Sequence, residues 1–550
     1  MTAEAGSRRQ LARRAGVVSA AVLASRVLGL VREQVFAVSF GAGKVLDAYV
    51  TAFRVPNLLR DLFGEGALSA AFVSTFTQEL EHHGEQAAWR LANLVINALA
   101  VVVGTLCLLG IWAAPAIMHA LAPGFAEVPG KVELTVHLTR IMLPFLLLVA
   151  LAAVAMGVLN TRHHFGIPAA ASAFFNAGSV IGGLACVHWL APGYLASIAG
   201  SLRGGAAPPA DADLANRAIT GMAIGTLVGG VLQLAAQLPS LRRVGFRYRP
   251  MLSLRDPALR QVLRLMAPAT VGAAAVQVNV LVNSNFASFL GNGPVSWLNV
   301  AFRFMQLPIG LFGVAIGTVT LPLVSRHVAR SDQTALRHAL RQALEMTALL
   351  CIPSAAGLAC FGVPVVGLLY EHGRFTAADT AAAASALAGY ALGLAGYAGI
   401  KVLAPAFYAL GDARTPMRVS VLSMGTNLVL NWLFVRVLGF GATGLALSTS
   451  VVALANCGVL LAMLRQRIGP LGSGLGRALA RIVGASALML LPALAADAGL
   501  GAVLPVGPPT LRHALRVATV VPVAAAAFWL ACHALGVALP SLPRRRPRAA

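Results

Sequence analysis

Residues 15–40 read AGVVSAAVLASRVLGLVREQVFAVSF, a largely apolar run that nevertheless carries Arg26, Arg32 and Glu33. As a helix rising 1.5 Å per residue, a run of this length crosses a hydrocarbon core roughly 30 Å thick. Similar runs recur along all 550 residues, which are 58% hydrophobic and only 11% charged, with a mean hydropathy of +0.78. Those values lie far outside the balance of a soluble domain. The short alternating segments of a transmembrane barrel do not occur in the sequence. The chain therefore reads as an all-α polytopic membrane protein. SRRQLARR (7–14) imitates the charged end of a signal peptide, but no short apolar core with a small-residue cleavage site follows, so the run reads as a retained first helix.

Working outward, fourteen candidate spans begin near residues 15, 46, 89, 132, 168, 216, 262, 296, 336, 380, 415, 442, 475 and 511. Most loops between them are short, which favours packed helices over separate soluble domains. The formal charge of +23 comes from 42 basic and 19 acidic residues, and only Lys44, Lys131 and Lys401 are lysines. With the N-terminus cytoplasmic, one side collects Arg242, Arg243, Arg247, Arg249, Arg255, Arg260 and Arg264, then Arg326, Arg330, Arg337 and Arg341. Arg414, Arg418, Arg465, Arg467 and the tail RRRPR (544–548) fall on the same side. Opposite loops such as APGFAEVPGKVE (122–133) and GNGP (291–294) are nearly free of basic residues. The positive-inside rule then places both termini in the cytoplasm, as an even number of spans requires.

Loop arginines are thus orientation signals first and contacts to anionic lipid second. No basic module interleaved with aromatics is present, so nucleic acid is not an expected partner. The loop at 191–217, rich in Gly, Ala and Pro, reads as a flexible connector without chemistry of its own. Cys107, Cys186, Cys351, Cys360, Cys457 and Cys532 lack metal or disulfide spacing and read as packed thiols. His163 and His164 have no metal-ligand spacing, and no nucleophile constellation or phosphate-cradling loop occurs. Neither an enzyme nor a metal or other cofactor is expected.

Once loop charges are removed, Arg26 and Arg32 remain in the first span, Arg54 and Arg60 in the second and Arg303 in the eighth, within SWLNVAFRFMQLPIG (296–310). An arginine at mid-bilayer costs about 2.5–3.5 kcal/mol on insertion scales, so a shared polar cavity is the cheaper arrangement. Snorkelling to the interface is the alternative for Arg32 and Arg60, whose distances from the span ends are open. The nearby acids are Glu33, Asp47, Asp61 and Glu65, and a buried salt-bridge network is a structural alternative. Surplus guanidinium suits a ligand with several anionic oxygens, because its planar fork binds phosphate or carboxylate bidentately. Arg26 and Arg32 lie six residues apart, about 9 Å along the axis and on different sides of the helix. In FRVPNLLRDLFGEGALS (53–69), Pro56, Gly64 and Gly66 suggest a kinked second span, of the kind that lines transporter cavities.

These residues resemble the MurJ/MviN family of bacterial lipid II flippases, within the multidrug/oligosaccharidyl-lipid/polysaccharide exporter superfamily. The resemblance is carried by SRVLGLVREQVFAVSFGAGKVLDAYVTAFRVPNLLRDLFGEGALSAAFVSTF (25–76), LAPGF (121–125) and VLNTRHHFGIPA (158–169). Further matches are FASFLGNGPVSWLNVAFRFMQLPIGLFGVAIGTVTLP (286–322), GRFTAADT (373–380) and KVLAPAFYALGDARTPMR (401–418). It implies two six-helix lobes, residues 1–240 and 241–468, around a central cationic cavity. Residues 469–550 would supply two further helices, forming a groove for a polyprenyl tail, and a basic tail.

The resemblance also implies the substrate, an undecaprenyl-diphosphate-linked disaccharide-pentapeptide moved between leaflets. Membrane lipids and other cell-wall synthesis proteins are the further partners expected. The family's cavity arginines fall on Arg26, Arg32, Arg60 and Arg303, with Arg54 at a site that is basic in relatives. Its acidic positions fall on Asp47 and Glu65, to which a role in gating or release is assigned. Phe302 and Gln306 stand where some relatives carry acids. Asn283, Asn427 and Asn431 occupy or adjoin positions where some relatives bind sodium through carboxylates. A cation site built of amides lacks ligand charge, which leaves membrane potential and a cation gradient both open as the energy source. The rival readings are an exporter of another polyprenyl-linked oligosaccharide, a drug/cation antiporter of the same superfamily, and a membrane scaffold for cell-wall enzymes.

Overall fold

The computed structural model describes residues 2–63, 67–202, 211–472, 474–503 and 508–537. All regular structure among them is helical. Backbone contacts divide the chain into two compact units, one of residues 1–296 with 372–376, the other of residues 297–371 with 377–550.

The first unit contains α1 (Thr2–Phe40), α2 (Lys44–Phe63), α3 (Ala67–Leu121), α4 (Lys131–Met142) and α5 (Phe145–Thr161). It continues through α6 (Gly166–Leu190), α7 (Tyr194–Leu202), α8 (Ala212–Ala235), α9 (Leu238–Arg243) and α10 (Pro257–Ser288). Gly84, at φ 82° and ψ −179°, breaks α3 into two helices, a conformation open to glycine because it lacks a Cβ. Pro56 lies inside α2, which is helical from Lys44 to Phe63. The glycines expected to interrupt this span, Gly64 and Gly66, lie outside the described residues, as does Glu65.

Close packing of α6 on α8 follows from the spacing of Gly221, Gly225 and Gly229. Small residues four apart form one face of a helix and let two backbones approach. A Cβ on Gly225 would stand 2.4 Å from the Cα of Gly183. The connector expected at 191–217 is corrected in part: residues 194–202 form α7, whose Tyr194 is buried. Its aromatic ring and the apolar Ile198 fill a core that a Gly- and Ala-rich composition did not reveal.

The second unit contains most of α11 (Pro294–Pro308), then α12 (Val314–Ala329), α13 (Gln333–Cys360), α14 (Gly362–Tyr370) and α15 (Ala377–Ala391). It ends with α16 (Leu394–Ala409), α17 (Arg414–Asn431), α18 (Gly441–Ile468), α19 (Gly474–Val503) and α20 (Pro509–Ala534). Aspartates start several helices in both units. Asp256 accepts from the N–H groups of Ala258 and Leu259 at 3.0 and 3.4 Å, and Asp332 accepts from that of Ala335 at 2.9 Å. Each satisfies donors that a helix start leaves unpaired.

Among the described residues, ten helical segments are long and apolar enough to cross a membrane. They become eleven with α15 and α16, which meet at a 41° bend. α1, α2 and α10 are further helices of 39, 20 and 32 residues, each long enough to cross. With these three, the helical segments correspond to the fourteen spans read from the sequence. Large apolar side chains point outward, among them Trp112 and Trp189 at 81% and 83% exposure. Burial on this pattern is what a lipid-facing surface requires, and the chain is a membrane protein.

Candidate functional site

Arg26, Arg32, Arg54 and Arg60 all belong to the first unit, and Arg303 belongs to the second. α1 is held against α6 where Asn176 Nδ2 donates to the Ser25 carbonyl at 3.1 Å. Gly29 faces the same amide, so α1 approaches closely just before the Arg32 turn. Arg26 is exposed, whereas the Arg32 side chain is only 13% exposed. One Arg32 Nη lies 3.7 Å from the Glu33 carboxylate. Its guanidinium carbon stands over the rings of Phe175, at 5.1 Å, and Phe53, at 6.0 Å. Of the two arginines in the first span, Arg32 is thus the one sheltered inside its unit.

On α2, Arg54 donates to the Ser284 hydroxyl of α10, and Arg60 is half-buried near the helix end. The Asp61 side chain lies outside what the structure describes.

Asp47 occupies a fully buried hub near the start of α2. Its Oδ2 accepts from Lys131 Nζ at 3.0 Å and the Gly293 N–H at 2.7 Å. Its Oδ1 accepts from the Ser296 N–H at 2.9 Å and the Ser296 hydroxyl at 2.6 Å. Lys131 donates further to the Gly291 carbonyl at 2.9 Å and Asn292 Oδ1 at 3.0 Å, and its ammonium lies 4.1 Å from the Phe125 ring centre. Both charged side chains are 0% exposed. The carboxylate thereby ties α4 and the loop before α11 to α2, and it sits at the α11 N-terminus, where the helix dipole favours negative charge. Its ionic partner is Lys131.

The nearby end of α1 is clasped as well. Tyr194 donates to the Ser39 carbonyl at 2.8 Å, and the Arg374 N–H donates to the Val38 carbonyl at 3.0 Å. Burial pushes the Tyr194 phenol up to about 12, against a smaller opposing effect of Arg374, whose guanidinium lies 5.1 Å from the ring centre. The phenol therefore remains a donor throughout the physiological range.

In the second unit Arg303 is exposed on α11, and so are Phe302 and Gln306. Pro308 ends that helix and a π-helical turn, Ile309–Gly313, follows. Another π-helical turn, Trp432–Val437, follows α17 directly after Asn431. Asn431 Nδ2 donates to Asn427 Oδ1 at 3.1 Å, and the Ser448 hydroxyl donates to Asn431 Oδ1. Both amide oxygens are engaged by protein donors, while Asn283 is half-buried in the other unit. Among the described residues no three His, Cys, Asp or Glu side chains are grouped to hold a metal ion.

Sequence reasoning missed Lys131 and the Phe53 and Phe175 rings beside Arg32. The available signal for Lys131 was its type, a lysine in a chain whose basic residues are almost all arginine. The phenylalanines gave no signal, because aromatic residues on an apolar helix look like ordinary core.

Comparison with known proteins places these residues in a family. Residues 36–501 match the family model described as lipid II flippase MurJ. The chain is 36% identical over 455 residues to the lipid II flippase MurJ of Burkholderia cenocepacia, covering 82% of this chain and 83% of that protein. It is 33% identical over 542 residues to the probable lipid II flippase MurJ of Rhizobium meliloti, covering 97% and 96%. Among solved structures, a lipid II flippase MurJ in an inward closed conformation matches with a TM-score of 0.73 and 26% identity, over 94% of this chain and 99% of that one. An inward-facing multidrug resistance MATE family transporter shares the fold, with a TM-score of 0.66 at 15% identity over 82% and 96% of the two chains. The chain belongs to the MurJ family of lipid II flippases.

Proposed function

We propose that this protein moves lipid II from the cytoplasmic to the periplasmic leaflet of a bacterial inner membrane, with both its termini in the cytoplasm and without covalent change to the lipid. The observation that carries the reading is Arg32, a guanidinium sheltered at 13% side-chain exposure in a membrane helix of a chain whose relatives are named lipid II flippases. Such a group is too costly to keep for packing alone, and its planar fork matches a diphosphate.

Arg26, Arg32, Arg60 and Arg303 engage the diphosphate on the cytoplasmic side, with Arg54 in support. The polyprenyl tail stays among the lipids, and rocking of the two lobes exposes the head group outside. Asp47 acts as a latch. While it is bound to Lys131 and the α11 N-terminus, the outer ends of α2, α4 and the loop before α11 stay joined. Opening toward the periplasm requires these bonds to part. Glu65 serves release. A potential negative inside favours outward movement of the anionic head group by about 2.3 kcal/mol per charge per 100 mV, which supplies direction without a bound cation. Asn427 and Asn431, engaged with one another, favour that source over a sodium gradient.

The test is complementation. Arg26→Ala, Arg32→Ala and Arg303→Ala, each produced at the normal level, are expressed in cells depleted of their own lipid II flippase. Loss of growth is expected for Arg32→Ala and Arg303→Ala. Full growth with all three variants removes the arginine mechanism.

A further inference from the structure

The aromatic residues around Arg32 form a connected set. Phe175 is 7% exposed and Phe145 is 1% exposed. Their ring centres lie 5.0 Å apart, and Phe145 also meets Phe53 at 5.7 Å. Phe53 stacks on Tyr49 at 6.1 Å, with 12° between the ring planes. The Tyr49 hydroxyl shares a hydrogen bond of 2.8 Å with that of Thr226. Four elements, α2, α5, α6 and α8, thus fix the two rings that face the guanidinium.

An arginine approached by aromatic rings keeps its positive charge, because the rings offer electron density without neutralising it. One Arg32 Nη lies 3.7 Å from the carboxylate of its sequence neighbour Glu33. A ring contact also fixes the orientation of a side chain whose ordering on binding would otherwise cost affinity.

We infer that Phe53 and Phe175 are positioning residues that hold Arg32 pre-oriented and charged for the lipid diphosphate, acting through the electron density of their ring faces. The inference rests on the proposed lipid II reading and deepens it. It also assigns Phe145, which meets both rings, as the wedge that sets their separation.

The experiment uses the full chain in nanodiscs with purified lipid II as the probe. Position 175 carries phenylalanine, then monofluoro-, difluoro- and trifluorophenylalanine, which keep the ring's shape while withdrawing electron density from its face. Arg32→Ala and Phe175→Leu are measured beside them. A stepwise loss of lipid II affinity along the fluorinated series, reaching roughly tenfold, is expected from the size of such contacts. In a transport assay the loss enters KM while kcat changes little. Phe175→Trp is expected to retain binding. Affinity independent of fluorination, while Arg32→Ala loses binding, overturns the positioning role and leaves the lipid II reading standing. Wild type and Arg32→Ala binding lipid II equally overturns both. Because the fluorinated chains preserve ring size, poor folding of Phe175→Leu leaves the decision intact.

Discussion

Asp47 and Lys131 form an ion pair with both partners at 0% exposure, and each is also committed to neutral donors or acceptors. Removing one partner leaves an uncompensated buried charge, a loss of about 3–5 kcal/mol. Asp47→Ala and Lys131→Met are each expected to lower the thermal midpoint of the detergent-solubilised protein sharply. The double substitution is expected to recover part of that loss, because no lone charge remains. Lipid II transport by the double variant is expected to stay impaired, since a latch made of packing alone does not reform on the same bonds. Equal melting of wild type and both single variants would show the hub to be dispensable.

At this scale the sequence disclosed the arginines through their cost in lipid, and it disclosed Asp47 through family resemblance. It did not disclose Lys131, because a lysine at a loop edge has the same appearance whether it is solvated or buried. The partners of Asp47 come from residues 131, 293 and 296, far apart in the chain, and only the fold brings them together.

Elements were legible wherever hydrophobic length dominates. The runs at 166–190, 333–360, 441–468 and 509–534 emerge as single helices. Local backbone departures were not legible. Gly84 divides α3, and π-helical turns follow Pro308 and Asn431, each depending on how a helix meets its neighbours. π-helical turns often mark functional segments, and these two lie on the elements that carry Arg303 and the asparagine pair. The α6 and α8 pair offers a direct check of packing. Gly225→Leu puts a branched side chain where even a Cβ would meet Gly183 at 2.4 Å. Little folded protein is expected on size-exclusion chromatography, whereas Gly458→Ala, with open space around its Cβ, is expected to behave as wild type. Normal yield and melting of Gly225→Leu would contradict the close helix contact.

For the whole molecule, composition alone points to a multi-span helical protein, which the helices bear out. The two compact units are a property of the folded chain. The segment 372–376 joins the first unit although its flanking helices belong to the second, and no periodicity in the sequence announces such an exchange. In the proposed account transport combines these scales: arginines attract the diphosphate, aromatic rings orient one of them, the Asp47 hub acts as a latch, and the membrane potential gives direction.

The most direct test reconstitutes the purified full chain in vesicles with fluorescent lipid II and reads its leaflet over time, with and without an imposed potential. Wild-type protein is expected to move lipid II faster than protein-free vesicles, and faster again when the potential favours movement of negative charge toward the measured leaflet. Arg32→Ala, shown folded by its melting curve, is expected to fall at least about tenfold, the scale of a lost charge-assisted contact. Wild-type movement no faster than that of bare vesicles, or an Arg32→Ala rate equal to wild type, would contradict the account.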